Sequence, residues 1–126
     1  MVDHELAMLA FVRLADLAQA KRQLLPRDKF LILAGAEACQ GGWLEVAERC
    51  RYLVLANNPA HLLKEFETFA SALRDPDFQV YLKQLKKFCS FERAEQLLEN
   101  LQIQFHTAAS EPGAAGEQSL AILKSW

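Results

Sequence analysis

The side chains able to do covalent or metal chemistry in this chain are few: His4, His61 and His106, and Cys39, Cys50 and Cys89. Catalysis needs a nucleophile, a base and a charge stabiliser gathered in one pocket, yet the histidines stand far apart in sequence. His61 and Glu65 are four residues apart, so on a helix they share a face and could offer two ligands to a metal. The HExxH pattern is absent, and the stretch reads first as a solvated helix start. A cysteine nucleophile needs a thiolate, which burial disfavours; Cys50 and Cys89 fall on apolar stripes. Cys39 lies nearer a turn, but at a helix C-terminus, where the negative end of the dipole opposes a thiolate. Gly41-Gly42 lacks the Lys and Ser/Thr that complete a phosphate-binding loop. No catalytic, cofactor-binding or metal-binding set is assigned and no cofactor is expected. The enzymatic alternative is a small helical metal- or thiol-dependent protein using His61, Glu65 or Cys39.

Residues suited to binding are better represented. Lys83, Lys86 and Lys87, with Arg93 nearby, form the most basic local cluster. As a nucleic-acid site the cluster would need stacking aromatics beside the charges, whereas Phe78, Phe88 and Phe91 fall on apolar stripes. Weak nucleic-acid binding is therefore a second alternative. Tyr52 and Tyr81 lie beside the main stripes of their helices, so their rings can cover a neighbour while their hydroxyls reach the surface, as recognition residues on a groove do. The candidate partner-binding set is Tyr52, Tyr81, Lys83, Lys86 and Lys87.

The elements that must position these residues are helical. The chain has 126 residues, 52% hydrophobic, enough for one core. Its net charge of −2 supplies no global field toward nucleic acid or an anionic surface. Three cysteines without paired spacing do not make a disulfide or zinc framework. Asp3 and Glu5 ahead of LAMLAFV differ from the cationic start of a signal peptide, and no apolar run reaches the roughly 20 residues of a membrane span. A cytoplasmic location is the expectation.

Asp3 is a good N-cap for a first helix, which Pro26 stops near Leu24. A second is expected from Asp28 to Gln40, with Ala34, Gly35 and Ala38 admitting a neighbouring backbone and Gly41 in a left-handed cap. A third begins at Trp43 and stops near Asn57. Asn58-Pro59 then reads as the start of a fourth, with stripe Leu62, Phe66, Phe69 and Leu73. Asp75-Pro76 starts a fifth and Ser90 a sixth, whose face includes Phe91, Ala94, Leu98, Leu101 and Phe105. No segment alternates with the period of a strand. After His106 the composition turns to TAASEPGAAG, a linker, before LAILKSW, an apolar segment suited to docking on its own domain or on a second copy.

Pro26 and Pro59 are 33 residues apart, and each precedes a helix pair. Phe30, Leu33, Ala34, Ala47, Val54 and Pro59 fall near the aromatic, Leu, small, Ala, small-to-medium and Pro positions of a tetratricopeptide repeat, which residues 26–59, and less fully 59–90, resemble. Glu37 and Arg51 stand where that family has aromatics, and Gly41-Gly42 adds a residue. The resemblance implies a right-handed stack of helix pairs whose concave face binds a peptide or a protein. The expectation is an all-α fold of about six helices, as a short repeat stack or an irregular bundle over residues 1–105. Residues 106–126 form a flexible linker and short apolar C-terminal segment. The expected role is a non-catalytic protein-interaction module with a protein or peptide partner and no membrane; a homo-oligomer would form through the C-terminal segment.

Overall fold

Asp3 sets the first helix. In the computed structural model, which describes residues 3–103 and 113–126, its carboxylate accepts the Leu6 N–H at 3.0 Å, satisfying a donor the helix cannot pair internally. The helix α1 spans His4–Ala20. It stops short of Leu24 because Arg22 takes a left-handed conformation at φ 58° and the Gln23 N–H closes back onto the Ala18 carbonyl. The second helix, α2, then begins earlier than expected and spans Leu24–Gln40. Pro26 is accommodated in its first turn, where an absent N–H costs nothing.

The α2 helix ends on the Gly-Gly pair, but the roles of the two glycines differ from expectation. Gly41 has right-handed geometry and Gly42 supplies the positive φ of 83°, which lets the Trp43 N–H reach the Ala38 carbonyl at 2.7 Å. The third helix, α3, covers Leu44–Asn57.

The expected fourth helix is broken in two. A 3₁₀ turn covers Leu62–Glu65 and a short α4 covers Phe69–Leu73. Between them Phe66 is extended; Arg51 on α3 donates to its carbonyl at 2.6 Å. Glu48, also on α3, accepts the Phe69 N–H at 2.7 Å, and the Thr68 and Ser71 side chains complete a reciprocal capping box. Side chains thus satisfy groups that a continuous helix would have paired with itself.

Asp75 and Ser90 cap α5, Pro76–Phe88, and α6, Phe91–Asn100, as their sequences predict. The last helix, α7, covers Ala114–Lys124. Ala114, Ala115 and Gly116, which read as linker, form its first turn. Gly113 of the expected linker precedes that turn at φ 81°, and residues 107–112, with Phe105 and His106, lie outside the described residues.

The fold is all-α, 79% helical with no strand among the described residues. None of the described helices is long and apolar enough to cross a membrane. The α2 helix is central and packs on α1, α3, α4 and α5, while α1 carries α6 and α7 on its remaining sides. This explains the breadth of apolar residues on α1, where Ala7 through Val12, Leu14 and Ala15 are all buried. Gly35 admits an aromatic ring rather than a backbone: a Cβ there would lie 2.3 Å from Cε2 of Phe69. That ring meets Phe78 edge-on at 6.0 Å, and Phe78 also packs against Phe66 and Tyr81.

Candidate interaction surface

Two polar assemblies brace the helices, the first at the start of α2 and the second between the 3₁₀ turn and α5. Arg27 and Asp28 are adjacent and both buried. Arg27 donates from Nε at 3.0 Å and from Nη2 at 2.8 Å to Oδ1 of Asp28, and from Nη1 to Gln19 Oε1 at 2.8 Å. Asn57, at the end of α3, donates to Asp28 Oδ2 at 2.8 Å. The C-terminal Trp126 ring covers the guanidinium at 5.4 Å, and its indole N–H donates to Asp16 at 2.8 Å. A buried ion pair is tolerable only when its remaining polar atoms find partners, and here α1, α2, α3 and the tail supply them.

His61 joins the second assembly. Its Nδ1 accepts the Leu63 N–H at 3.1 Å, so the proton resides on Nε2, which lies 3.1 Å from the Tyr81 hydroxyl. Burial lowers the His61 pKa, with Asp28 opposing the shift, and burial raises that of Tyr81. A neutral histidine and a protonated phenol are locked together, linking the 3₁₀ turn to α5. With both ring nitrogens engaged, His61 offers no free lone pair for metal coordination in this arrangement. Among the described residues no three His, Cys, Asp or Glu gather as a metal-binding group.

Burial also disfavours the thiolate form of the three cysteines. Burial pushes Cys39 up to about 11 and raises Cys50 and Cys89 as well. At neutral pH these sulfurs are protonated, which opposes a thiolate mechanism.

What the fold does present is an apolar cleft where α6 lies beside α1 and α2. Leu14, Leu17 and Ala18 from α1, Phe30 from α2, and Leu97 and Leu101 from α6 line an opening of about 270 Å³, with Lys21 and Gln23 at its end. Leu101 remains 54% exposed. Beyond Phe30 the apolar surface continues onto Phe88, 44% exposed, with ring centroids 5.5 Å apart. The Lys29 ammonium sits 4.7 Å above the Phe88 ring. A second cleft of about 210 Å³ opens near the start of α6, among Phe11, Leu33, Glu37, Cys89 and Phe91.

The candidate residues are distributed over several places. Tyr81 is half-buried and held by His61. Tyr52, 55% exposed, stands on α3 with the Arg49 guanidinium 5.2 Å over its ring. Lys83, Lys86 and Lys87 are exposed along α5; Lys86 borders the smaller cleft, and Lys87 is adjacent to Phe88. The larger cleft is absent from the sequence reading because Leu101 falls in the apolar period of α6 and reads as core. The usable signal is Leu97 beside Leu98, which makes the apolar face of α6 wider than one neighbouring helix can cover.

No protein-family model, no curated protein and no solved structure matches this chain.

Proposed function

We propose that this protein is a non-catalytic interaction module that binds a protein or peptide partner through the α1/α2/α6 cleft. The observation that carries the reading is the apolar surface running from the exposed Leu101 through the half-buried Phe30 to the exposed Phe88. Exposed apolar surface of this continuity is characteristic of a docking site. The protonated cysteines and the fully engaged His61 favour binding over catalysis. The tetratricopeptide-like pattern of residues 26–59 supports the same class of role, since helix-pair stacks hold peptides on a helical surface.

The test is paired capture. Wild-type protein and the Leu101→Glu variant, matched in helical content, serve as baits in the same native extract. A stoichiometric partner retained by wild type and lost by the variant is the expected result. Identical partner sets on both baits would remove the cleft from the function.

A further inference from the structure

The chain carries a net charge of −2, yet the charges around the larger cleft are sorted against that balance. On α6, Arg93, Leu97 and Leu101 follow at four-residue spacing and therefore share one face, whereas Glu92, Glu95 and Glu99 follow at three and four and take the opposite face. Lys21 lines the end of the cleft. Lys29 lies over Phe88, which packs on the cleft residue Phe30. Lys21 thus stands in the cleft, Lys29 at its Phe88 extension and Arg93 further along the face of α6 that carries Leu97, while the glutamates of α6 occupy the opposite face.

We propose that the partner segment is an acidic amphipathic helix, with large apolar residues on one face and Asp or Glu at its flanks; this rests on the interaction reading above. The row from Arg93 to Leu101 spans about 12 Å at the helical rise, the length of two turns of a docked helix whose apolar side chains enter between Leu17, Phe30 and Leu101. Helix-in-groove recognition works in this way: apolar anchors supply affinity and flanking charge selects the partner. Lys21 and Arg93 at the two ends would pair with carboxylates at opposite ends of the segment. The Lys29 ammonium lies over the Phe88 ring, a cation–π contact that places a positive charge at the apolar rim.

The experiment uses the full chain and two synthetic helical peptides of identical apolar face, one flanked by glutamates and one by lysines, followed by chemical-shift titration. The acidic peptide is expected to bind at least about tenfold tighter than the basic one, to weaken as salt is raised, and to perturb resonances of Leu17, Phe30, Leu97 and Leu101. The triple variant K21E/K29E/R93E changes side chains at the rim and should invert the preference while far-UV circular dichroism stays unchanged. Equal affinity for the two peptides, preference for the basic one, or no binding of either would overturn the proposal. A homodimer dissolved by Leu101→Glu would also overturn it, assigning the cleft to a second copy. A partner captured through Leu101 that lacks an acidic helix leaves the cleft reading standing and removes only this one.

Discussion

Gly35 shows how much one missing methyl group decides. Phe69 is fully buried, and three of its ring atoms would come within 3 Å of a Cβ on Gly35. Phe78 backs the ring edge-on at 6.0 Å, so it has little room to retreat. Overpacking of this kind costs about 1–3 kcal/mol, against about 1 kcal/mol gained when alanine replaces glycine inside a helix. The steric term wins, because several ring atoms collide together. Gly35→Ala should therefore lower global stability by about 1–2 kcal/mol and the melting temperature by several degrees, read by thermal unfolding; a more stable variant would refute the packing account. The sequence placed small residues at 34, 35 and 38 and so signalled a close approach. It did not identify the approaching group, because Phe69 lies 34 residues away and reaches Gly35 only once the fourth helix breaks. Local signals transferred better: the caps at Asp3, Asp75 and Ser90 depend on donors three residues on and were readable directly. Arg27, Asp28 and Asn57 were opaque for the opposite reason, since charged and amide side chains read as surface until distant partners satisfy them.

At the scale of elements, α7 is joined to the remainder by a steric fit of the same kind. A Cβ on Gly116 would lie 2.0 Å from Cε2 of Trp43, and the Trp43 indole N–H donates to Glu5 on α1 at 2.7 Å, which holds the ring in place. Lys124 reaches Glu45 at 3.4 Å, but that exposed pair contributes little. Leu123 and Ala115 are buried against α1 and α3, so apolar contact and the glycine notch dominate the docking. An eleven-residue helix does not persist alone in water. The clash in Gly116→Ala should therefore be relieved by undocking of α7 rather than by rearrangement of the core. Amide exchange should show α7 losing protection by about tenfold or more while α1 and α2 keep theirs. Uniform loss across all helices, or none, would show that Trp43 does not clamp the tail. The sequence suggested an apolar segment fit to dock, but Gly116 read as linker, since its role depends on a tryptophan 73 residues earlier.

For the whole molecule, the groups that cross-brace the helices make stability a function of pH. His61 connects the 3₁₀ turn to α5 through Tyr81, beside the Arg27–Asp28–Asn57 assembly that ties α2 to α3. One of its two contacts needs the neutral ring: a protonated Nδ1 cannot accept the Leu63 N–H, whereas the Nε2–H facing Tyr81 is present in either state, and burial disfavours the charge. Its pKa in the fold is accordingly below the ordinary 6.5 that applies to the unfolded chain. As pH falls through 6.5 the unfolded state binds the proton first, and mass action draws the equilibrium toward unfolding. The contribution is thus fully present above 6.5, declines as pH falls toward the lowered folded value, and is constant below it. Asp28 opposes the shift by favouring the cation, which narrows the window without reversing its sign. Asparagine at position 61 can still accept the Leu63 N–H as a cap but does not titrate. Denaturant unfolding of His61→Asn at a series of pH values should give a flatter stability profile than wild type just below 6.5, and the two profiles should run parallel at neutral pH and above. Parallel profiles throughout would mean that His61 keeps an ordinary pKa in the fold, and that neither its burial nor the cap on the Leu63 N–H discriminates between its protonation states.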